Sequence, residues 1–111
     1  MRKKLMLLGL SLFLVMPAFA QDASQAVENK TFYEDGSLKS KEFLIGETRV
    51  GVYKEYWPNQ KMKQKAVYDL TGVLDGYVRY HDESGVVTKK EIYENGTLVS
   101  TTNYESGQPV E

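Results

Sequence analysis

Residues 32–40 of this chain read FYEDGSLKS, and residues 92–100 read IYENGTLVS. Five of the nine positions are identical, and each copy centres on a Gly that follows Asp or Asn. Asp-Gly and Asn-Gly between strand-like runs are typical of tight hairpin turns, because Gly adopts positive φ without steric cost and Asn and Asp tolerate it. Both copies therefore predict turns that end one strand and begin the next.

A longer period surrounds these two turns. Gly51 recurs as Gly76 after 25 residues, and Tyr33 corresponds to Trp57 after 24, so a unit of 24 to 25 residues is present about three times. Each unit contains two turns, since turn-forming clusters recur every ten to thirteen residues. These clusters are Asp35-Gly36, Ile45-Gly46-Glu47, Pro58-Asn59-Gln60, Leu70-Thr71-Gly72, Glu83-Ser84-Gly85, Asn95-Gly96 and Ser106-Gly107.

Residues between the turns alternate as in a β-strand. Met62, Gln64, Ala66 and Tyr68 are predicted to share one face, while Lys61, Lys63, Lys65 and Val67 share the other. No helical stripe follows residue 30. The fold prediction is all-β: a single elongated antiparallel meander of about seven short strands, built from successive hairpins. Residues 31–108 form this repeat domain, residues 21–30 are expected to be a flexible lead, and residues 109–111 a tail.

The first twenty residues have the plan of a secretory signal peptide. Three cations, Arg2, Lys3 and Lys4, precede an apolar run, and Ala18-Phe19-Ala20 offers small residues at the two positions that signal peptidase reads. The sequence predicts a leader helix over residues 1–20, cleavage after Ala20, and a secreted or periplasmic protein. An uncleaved anchor is the alternative, although the run is shorter than the ~20 residues of a spanning helix.

Charge and cysteine content narrow the possible functions. Without residues 1–20 the chain has 11 Lys and Arg against 15 Asp and Glu, a net charge of −4. Nucleic acid is a poor partner for such a chain, because its binding depends on neutralising phosphates with cations. The chain has no cysteine, so a secreted form must fold without disulfides.

Three segments carry a resemblance to a known family. They are residues 32–38 (FYEDGSL), 51–57 (GVYKEYW) and 76–80 (GYVRY), and they resemble the bacterial variant of the MORN repeat over roughly residues 31–108. The resemblance implies a ribbon of hairpins that serves as a non-catalytic interaction module, linked to membrane-associated assemblies, protein partners and dimerisation. Some bacterial relatives carry an antitoxin label, against which the predicted signal peptide argues. Gln60 departs from the pattern, since it stands where the turn Gly is usual.

Five aromatic residues are candidate binding residues. Tyr53, Tyr56, Trp57, Tyr77 and Tyr80 occupy corresponding stretches of consecutive units. If the stretches align, these side chains form a ladder on one face, which requires Tyr53 and Tyr77 to point to the same side. The ladder is either the core of a thin sheet or a platform for a glycan, peptide or partner sheet, since Tyr and Trp combine apolar area with a polar tip.

Lysines suggest a second candidate surface. Lys61, Lys63 and Lys65 fall on odd-numbered positions with Lys39 and Lys41, and with Lys89 or Lys90 they are predicted to form a basic stripe that faces anionic lipid or polysaccharide. The alternative is a solvated face whose field is diluted by Glu42, Glu55 and Glu91.

Residues suited to catalysis are sparse. The single histidine, His81, lacks a second soft ligand or a nucleophile and is predicted to be a surface residue. Asp75 with Asp82 or Glu83 is the remaining pair that resembles a glycosidase acid pair, so a small hydrolase is the least favoured function. The leading expectation is a protein–protein interaction module, including self-association, without metal or cofactor. A binder of envelope or host-surface carbohydrate or anionic lipid is the alternative.

Overall fold

A computed structural model describes residues 23–110 of the chain. Eight strands form one antiparallel sheet in the order β1 to β8, so each strand pairs with its neighbours in sequence. The strands are β1 (Val27–Phe32), β2 (Leu38–Ile45), β3 (Thr48–Tyr56), β4 (Met62–Tyr68), β5 (Leu74–His81), β6 (Val87–Glu94), β7 (Thr97–Glu105) and β8 (Gln108–Val110). A short 3₁₀ turn, Ala23–Gln25, precedes β1. The predicted single meander of hairpins is confirmed.

The ends of the predicted domain need correction. Strand β1 begins at Val27, within the segment expected to be a flexible lead, and β8 extends to Val110, within the expected tail. All six residues of β1 are exposed, so its side chains show no alternation between buried and exposed positions. Backbone hydrogen bonds to β2 hold this strand in the sheet. Such bonds do not depend on side chains, so the pattern of hydrophobic residues does not reveal the strand. The predicted signal peptide, residues 1–20, lies outside the described residues.

Two kinds of turn join the strands. Turns 33–37, 57–61, 69–73 and 82–86 share one design, in which the first residue donates a backbone hydrogen bond to the fifth and accepts one from the fourth. The fourth residue has positive φ, and at residue 60 this is a glutamine with φ of 73°. Two-residue turns occur at Gly46-Glu47, Asn95-Gly96 and Ser106-Gly107. The last two have positive φ at each position and the first has it at Gly46, as right-twisted hairpins favour.

The repeated sequence forms a different turn in each copy. Turns 33–37, 57–61, 82–86 and 106–107 lie at one end of the sheet, here the upper end, and turns 46–47, 69–73 and 95–96 lie at the lower end. FYEDGSLKS surrounds a five-residue turn at the upper end, whereas IYENGTLVS surrounds a two-residue turn at the lower end. The copies are five strands apart, an odd number, which in a meander leads to the opposite end.

Successive units are joined by side chains at the upper end. Tyr33 Oη donates to the carbonyl of Tyr56 at 2.5 Å, and one unit later Trp57 Nε1 donates to the carbonyl of His81 at 3.2 Å. Gln60 Nε2 donates to the Leu38 carbonyl at 3.1 Å. Each aromatic at the start of a turn therefore joins its own unit to the next.

Little of this sheet is buried. Among the described residues, the buried apolar side chains are those of Val50, Ala66 and Val78, and Ser40 is a buried polar residue. A single-layer sheet covers its apolar atoms with long neighbours on the same face rather than with a second layer. Both broad faces are therefore open to a binding partner.

Candidate functional site

The pairing register assigns side chains to two faces. Residues directly opposite in an antiparallel pair share a face, and successive residues of a strand alternate between faces. Tyr53, Ala66, Val78, Glu91 and Thr101 are opposite one another across β3 to β7 and define the tyrosine face. Lys54, Lys65, Arg79, Lys90 and Thr102 are opposite one another one residue further along and define the lysine face.

Four tyrosines give the tyrosine face its character. Tyr68, Tyr80 and Tyr93 lie two residues from Ala66, Val78 and Glu91, on the same side as Tyr53. All four rings are half-buried. The Arg49 guanidinium lies 3.9 Å from the Tyr53 ring centroid and 5.7 Å from that of Tyr68, and its Nε donates to Glu42 at 2.8 Å. These contacts hold one end of the face in a defined arrangement.

Glu91 organises the other end of the tyrosine face. Its carboxylate accepts a hydrogen bond from Tyr80 Oη at 3.0 Å and lies 3.7 Å from Lys89 Nζ, which is 4.8 Å from the Tyr80 ring. Burial, followed by the hydrogen bond to Glu91, raises the pKa of Tyr80 to about 12. Hydrogen bonding from Arg49 lowers the pKa of Glu42. At neutral pH the Glu42 carboxylate of this face is therefore ionised and the Tyr80 phenol is neutral.

A row of cations crosses the lysine face. The register pairs Lys30 with Lys41, Lys41 with Lys54, Lys54 with Lys65, Lys65 with Arg79, and Arg79 with Lys90. The lysine row is this set of six residues, one on each strand from β1 to β6. Strands are about 4.7–4.9 Å apart, so the row is roughly 24 Å long. Within residues 23–110, only Lys41 of this row has a carboxylate oxygen within 4.0 Å, that of Glu28 at 3.5 Å.

Apolar residues lie beside the lysine row. Tyr77 is paired with Ile92 and lies two residues from Arg79, and its ring has Lys65, Arg79 and Lys90 within 5.9 Å of its centroid. Val52 and Val67 continue this apolar line on β3 and β4. The line leads to a hollow of about 280 Å³ whose lining includes Phe43, Val50, Val52 and Leu70.

The predicted aromatic ladder is wrong as a single surface. Tyr53 and Tyr80 lie on the tyrosine face, whereas Tyr77 lies on the lysine face. Alternation from Lys54 places Tyr56 on the lysine face as well. The unit repeats every 25 residues from Gly51 to Gly76, but Tyr53 and Tyr77 are 24 apart, and a shift of one residue turns a side chain to the opposite side.

Trp57 has a structural role. It begins the turn 57–61, and its indole donates the hydrogen bond that joins two units. Lys63 Nζ lies 4.7 Å from the indole ring, in a contact that repeats the one between Lys39 and Tyr33 at 5.7 Å. The indole therefore strengthens the junction between repeats.

The predicted lysine stripe is only partly formed. Lys41 and Lys65 belong to the lysine row, but Lys63 lies 3.6 Å from Glu55, a tyrosine-face residue opposite Gln64. Lys39 and Lys63 are each unpaired residues at register shifts, and Lys61 ends a turn. An unpaired residue of this kind interrupts the simple alternation, so odd numbering did not identify the face. Lys89 is on the tyrosine face and Lys90 in the row.

Sequence reasoning missed Lys30, Lys54 and Arg79. The signal was present in the repeat itself, because Lys30, Lys54 and Arg79 follow one another at steps of 24 and 25. Lys41, Lys65 and Lys90 follow the same two steps. Comparison of cations between units, rather than along one strand, identifies the row.

The proposed glycosidase pair is not assembled. Asp75 is the second residue of β5 and Asp82 follows its end, so seven residues of extended chain, roughly 23 Å, separate them. A glycosidase pair is about 5–9.5 Å apart. Asp82 Oδ1 accepts hydrogen bonds from the amides of Ser84 and Val86, which is a turn-forming role. His81 Nδ1 lies 3.1 Å from the Gly85 carbonyl in the same turn, and the described residues contain no cluster suited to a metal ion.

The family model described as the MORN repeat variant matches residues 27–44, 49–70 and 87–106. The chain belongs to the MORN repeat variant family. Comparisons with curated proteins and with solved structures gave no significant match. Among residues 23–110, no helix has both the length and the hydrophobicity needed to cross a bilayer.

The three MORN repeat matches are not in one phase. The matches at 27–44 and 49–70 start in strands that run toward the upper end, whereas the match at 87–106 starts in β6, which runs toward the lower end. Residues 76–80, chosen as the third copy from the sequence, fall between matches. A MORN variant hairpin is thus recognised at either end of this sheet. MORN repeats are commonly non-catalytic modules, which agrees with a binding role.

Proposed function

We propose that this MORN variant protein is a non-catalytic module that acts outside the cytoplasm and binds a protein partner on its tyrosine face. The observation that carries the proposal is the fixed array of Tyr53, Tyr68, Tyr80 and Tyr93, held by Arg49 and Glu91. Tyr and Arg are enriched where proteins meet, and they dominate the binding energy of many interfaces. Rings held before binding lose less conformational freedom when a partner docks.

The predicted signal peptide supports the location. The chain has no cysteine, so an oxidising compartment cannot introduce a disulfide into it. The proposed partner is therefore a protein of the cell envelope or the exterior, and a second copy of this chain is one such partner. Strand β1 supports the second case, since it pairs on one side with β2 and all six of its residues are exposed.

Adjacent threonines provide a test of the tyrosine face. Thr101 is opposite Glu91 on the tyrosine face, and Thr102 is opposite Lys90 on the lysine face. A photoreactive amino acid at residue 101 should cross-link one discrete protein in the producing cells, and the same group at residue 102 should not. Mass spectrometry of the product distinguishes a second copy from a different protein.

Two outcomes contradict the proposal. Cross-linking that occurs from residue 102 but not from residue 101 would place the partner on the wrong face. Absence of a specific product from both positions, with the protein exported and folded, would remove the protein partner altogether. Fractionation of the same cells tests the location, since a protein retained in the cytoplasm contradicts it.

The lysine row favours a second candidate function. Six cations aligned across six strands suit an anionic ligand of the envelope or of a host surface. This candidate uses the opposite face, so the two functions are separable by mutation.

A further inference from the structure

Repulsion between the cations of the lysine row destabilises the sheet. Like charges that are directly opposite on neighbouring strands destabilise a sheet, and here five consecutive cross-strand pairs join two cations. The carboxylates of Glu42, Glu55 and Glu91 are paired on the other face with Arg49, Lys63 and Lys89. Those carboxylates are thus occupied by cations of their own face. Of the row, only Lys41 has a carboxylate within 4.0 Å among residues 23–110, that of Glu28, so the other five cations are left available for an external anion.

We propose that the lysine row binds a linear anionic polysaccharide with one carboxylate on each sugar, lying across the strands from β1 to β6. The row supplies one cation per strand, at an interval of about 4.7–4.9 Å. A pyranose ring linked through opposite positions extends a chain by a similar length. A polyuronate that lies across the strands thus passes about one cation of the row for each sugar.

The neighbouring apolar line suits the sugar rings. Tyr77, Ile92, Val52 and Val67 run beside the row on the same face. A sugar has one comparatively apolar face, and Tyr offers a flat apolar surface with a polar tip. The Tyr77 ring is surrounded by Lys65, Arg79 and Lys90, so a ring stacked on it would have cations within reach of its carboxylate.

The twist of the sheet favours a flexible chain over a membrane. Neighbouring strands rotate by roughly 20–25°, so the direction in which the side chains of the row point turns by roughly 100–125° along its path from β1 to β6. A planar bilayer contacts only part of such a path. A linear polysaccharide can follow it and engage all six cations together.

The proposal is tested by isothermal titration calorimetry, in which the purified protein is titrated with an oligogalacturonate long enough to cross six strands and the affinity is measured. The variant Lys54→Gln/Lys65→Gln/Arg79→Gln removes three adjacent cations of the row. The control Lys39→Gln/Lys61→Gln/Lys63→Gln changes the net charge equally, at residues outside the row.

The expected results separate the row from charge in general. The row variant should lose at least about tenfold in affinity, while the control should change by about twofold or less, since only aligned cations neutralise the chain. Wild-type affinity should fall steeply with added salt. Methyl-esterified oligogalacturonate, which has the same shape without charge, should not bind. The row variant should melt no lower than wild type, because it relieves repulsion.

Other results would overturn the proposal. These are an equal loss in both variants, absence of wild-type binding, retained binding of the methyl ester, or equally tight binding of single-stranded DNA. Preferential binding to vesicles of anionic phospholipid would assign the row to a membrane instead. The row variant leaves the tyrosine face unchanged, so cross-linking from residue 101 should continue in that variant. Failure of the polysaccharide proposal alone would therefore leave the cross-linking result intact.

Discussion

Single glycines show how turns of neighbouring repeats stack. Gly36 and Gly72 occupy the same position of the same five-residue turn, with φ of 90° and 91°. A β-carbon on Gly36 would meet nothing within 4 Å, whereas one on Gly72 would lie 2.6 Å from Thr48 Cγ2. A side chain at Gly36 would therefore cost only the free energy of the left-handed backbone conformation, whereas one at Gly72 would add the cost of a steric clash with Thr48.

Alanine at these two positions should lower the free energy of unfolding by different amounts. Gly36→Ala should lower the free energy of unfolding by about 1–2 kcal/mol, the cost of a left-handed residue with a side chain. Gly72→Ala should lower it by roughly 1–3 kcal/mol more, because the added methyl overpacks against Thr48. Urea denaturation measures both. Thr48→Ser removes the opposing methyl and should recover most of the extra loss, and failure to recover it would contradict the contact.

Gln60 departs from the repeat pattern, and the reason is visible only in the structure. It has φ of 73° where the equivalent turns have Gly36, Gly72 and Gly85. Its side chain donates to the carbonyls of Leu38 and Trp57. The turn tolerates the strained backbone because a glutamine there, unlike a glycine, joins the unit to the one before it.

At the scale of the turn and strand, three aspartates make stability dependent on pH. Hydrogen bonds from the hydroxyls of Ser37, Thr71 and Ser84, and then from backbone amides, lower the pKa values of Asp35, Asp69 and Asp82 below 3.8. The unfolded chain binds more protons than the folded chain between the lowered pKa and 3.8. The contribution of these turns is thus complete above that window and is lost as the pH falls through it.

Thermal melting across this pH range tests the turn aspartates. The melting temperature should fall as the pH is lowered from 5 to 2, and Asp82→Ala should make the fall shallower. Glu83→Ala, which removes a neighbouring exposed carboxylate from the same turn, is the control. An equal pH dependence in the Asp82 variant and wild type would show that its hydrogen bonds do not contribute.

In the strands, a substitution in the lysine row is expected to raise stability rather than lower it. Lys65→Glu places a carboxylate between Lys54 and Arg79 and converts two repulsive pairs to attractive ones. We expect the free energy of unfolding to rise by roughly 0.2–1 kcal/mol for each pair. Chemical denaturation at low salt measures the gain, which should shrink at high salt. A loss of stability would show that the cations are not aligned.

The order of the strands could be predicted from the sequence, but the face on which each side chain lies could not. Turn clusters and the 24-to-25-residue step predicted the meander, because each strand contacts the next one along the chain and no distant pairing has to be inferred. The faces were harder to predict. Register shifts leave Lys39, Lys63 and Thr88 unpaired, and each shift breaks the alternation on which face assignments depend.

For the whole molecule, these features combine into a sheet with two unlike sides. One side joins ordered tyrosines to paired carboxylates, and the other aligns cations beside an apolar line. A single layer leaves both sides open, as the small number of buried apolar residues indicates. A sheet of this type therefore presents two chemically different surfaces on opposite faces.

The alignment of the cations is tested most directly by nuclear Overhauser contacts between backbone protons of opposite strands. We predict cross-strand contacts that pair Lys54 with Lys65, Lys65 with Arg79, and Arg79 with Lys90. A register displaced by one residue at any of these pairs, such as Lys65 opposite Val78, would send alternate cations to opposite sides. That result would contradict both the lysine row and the separation of the two faces.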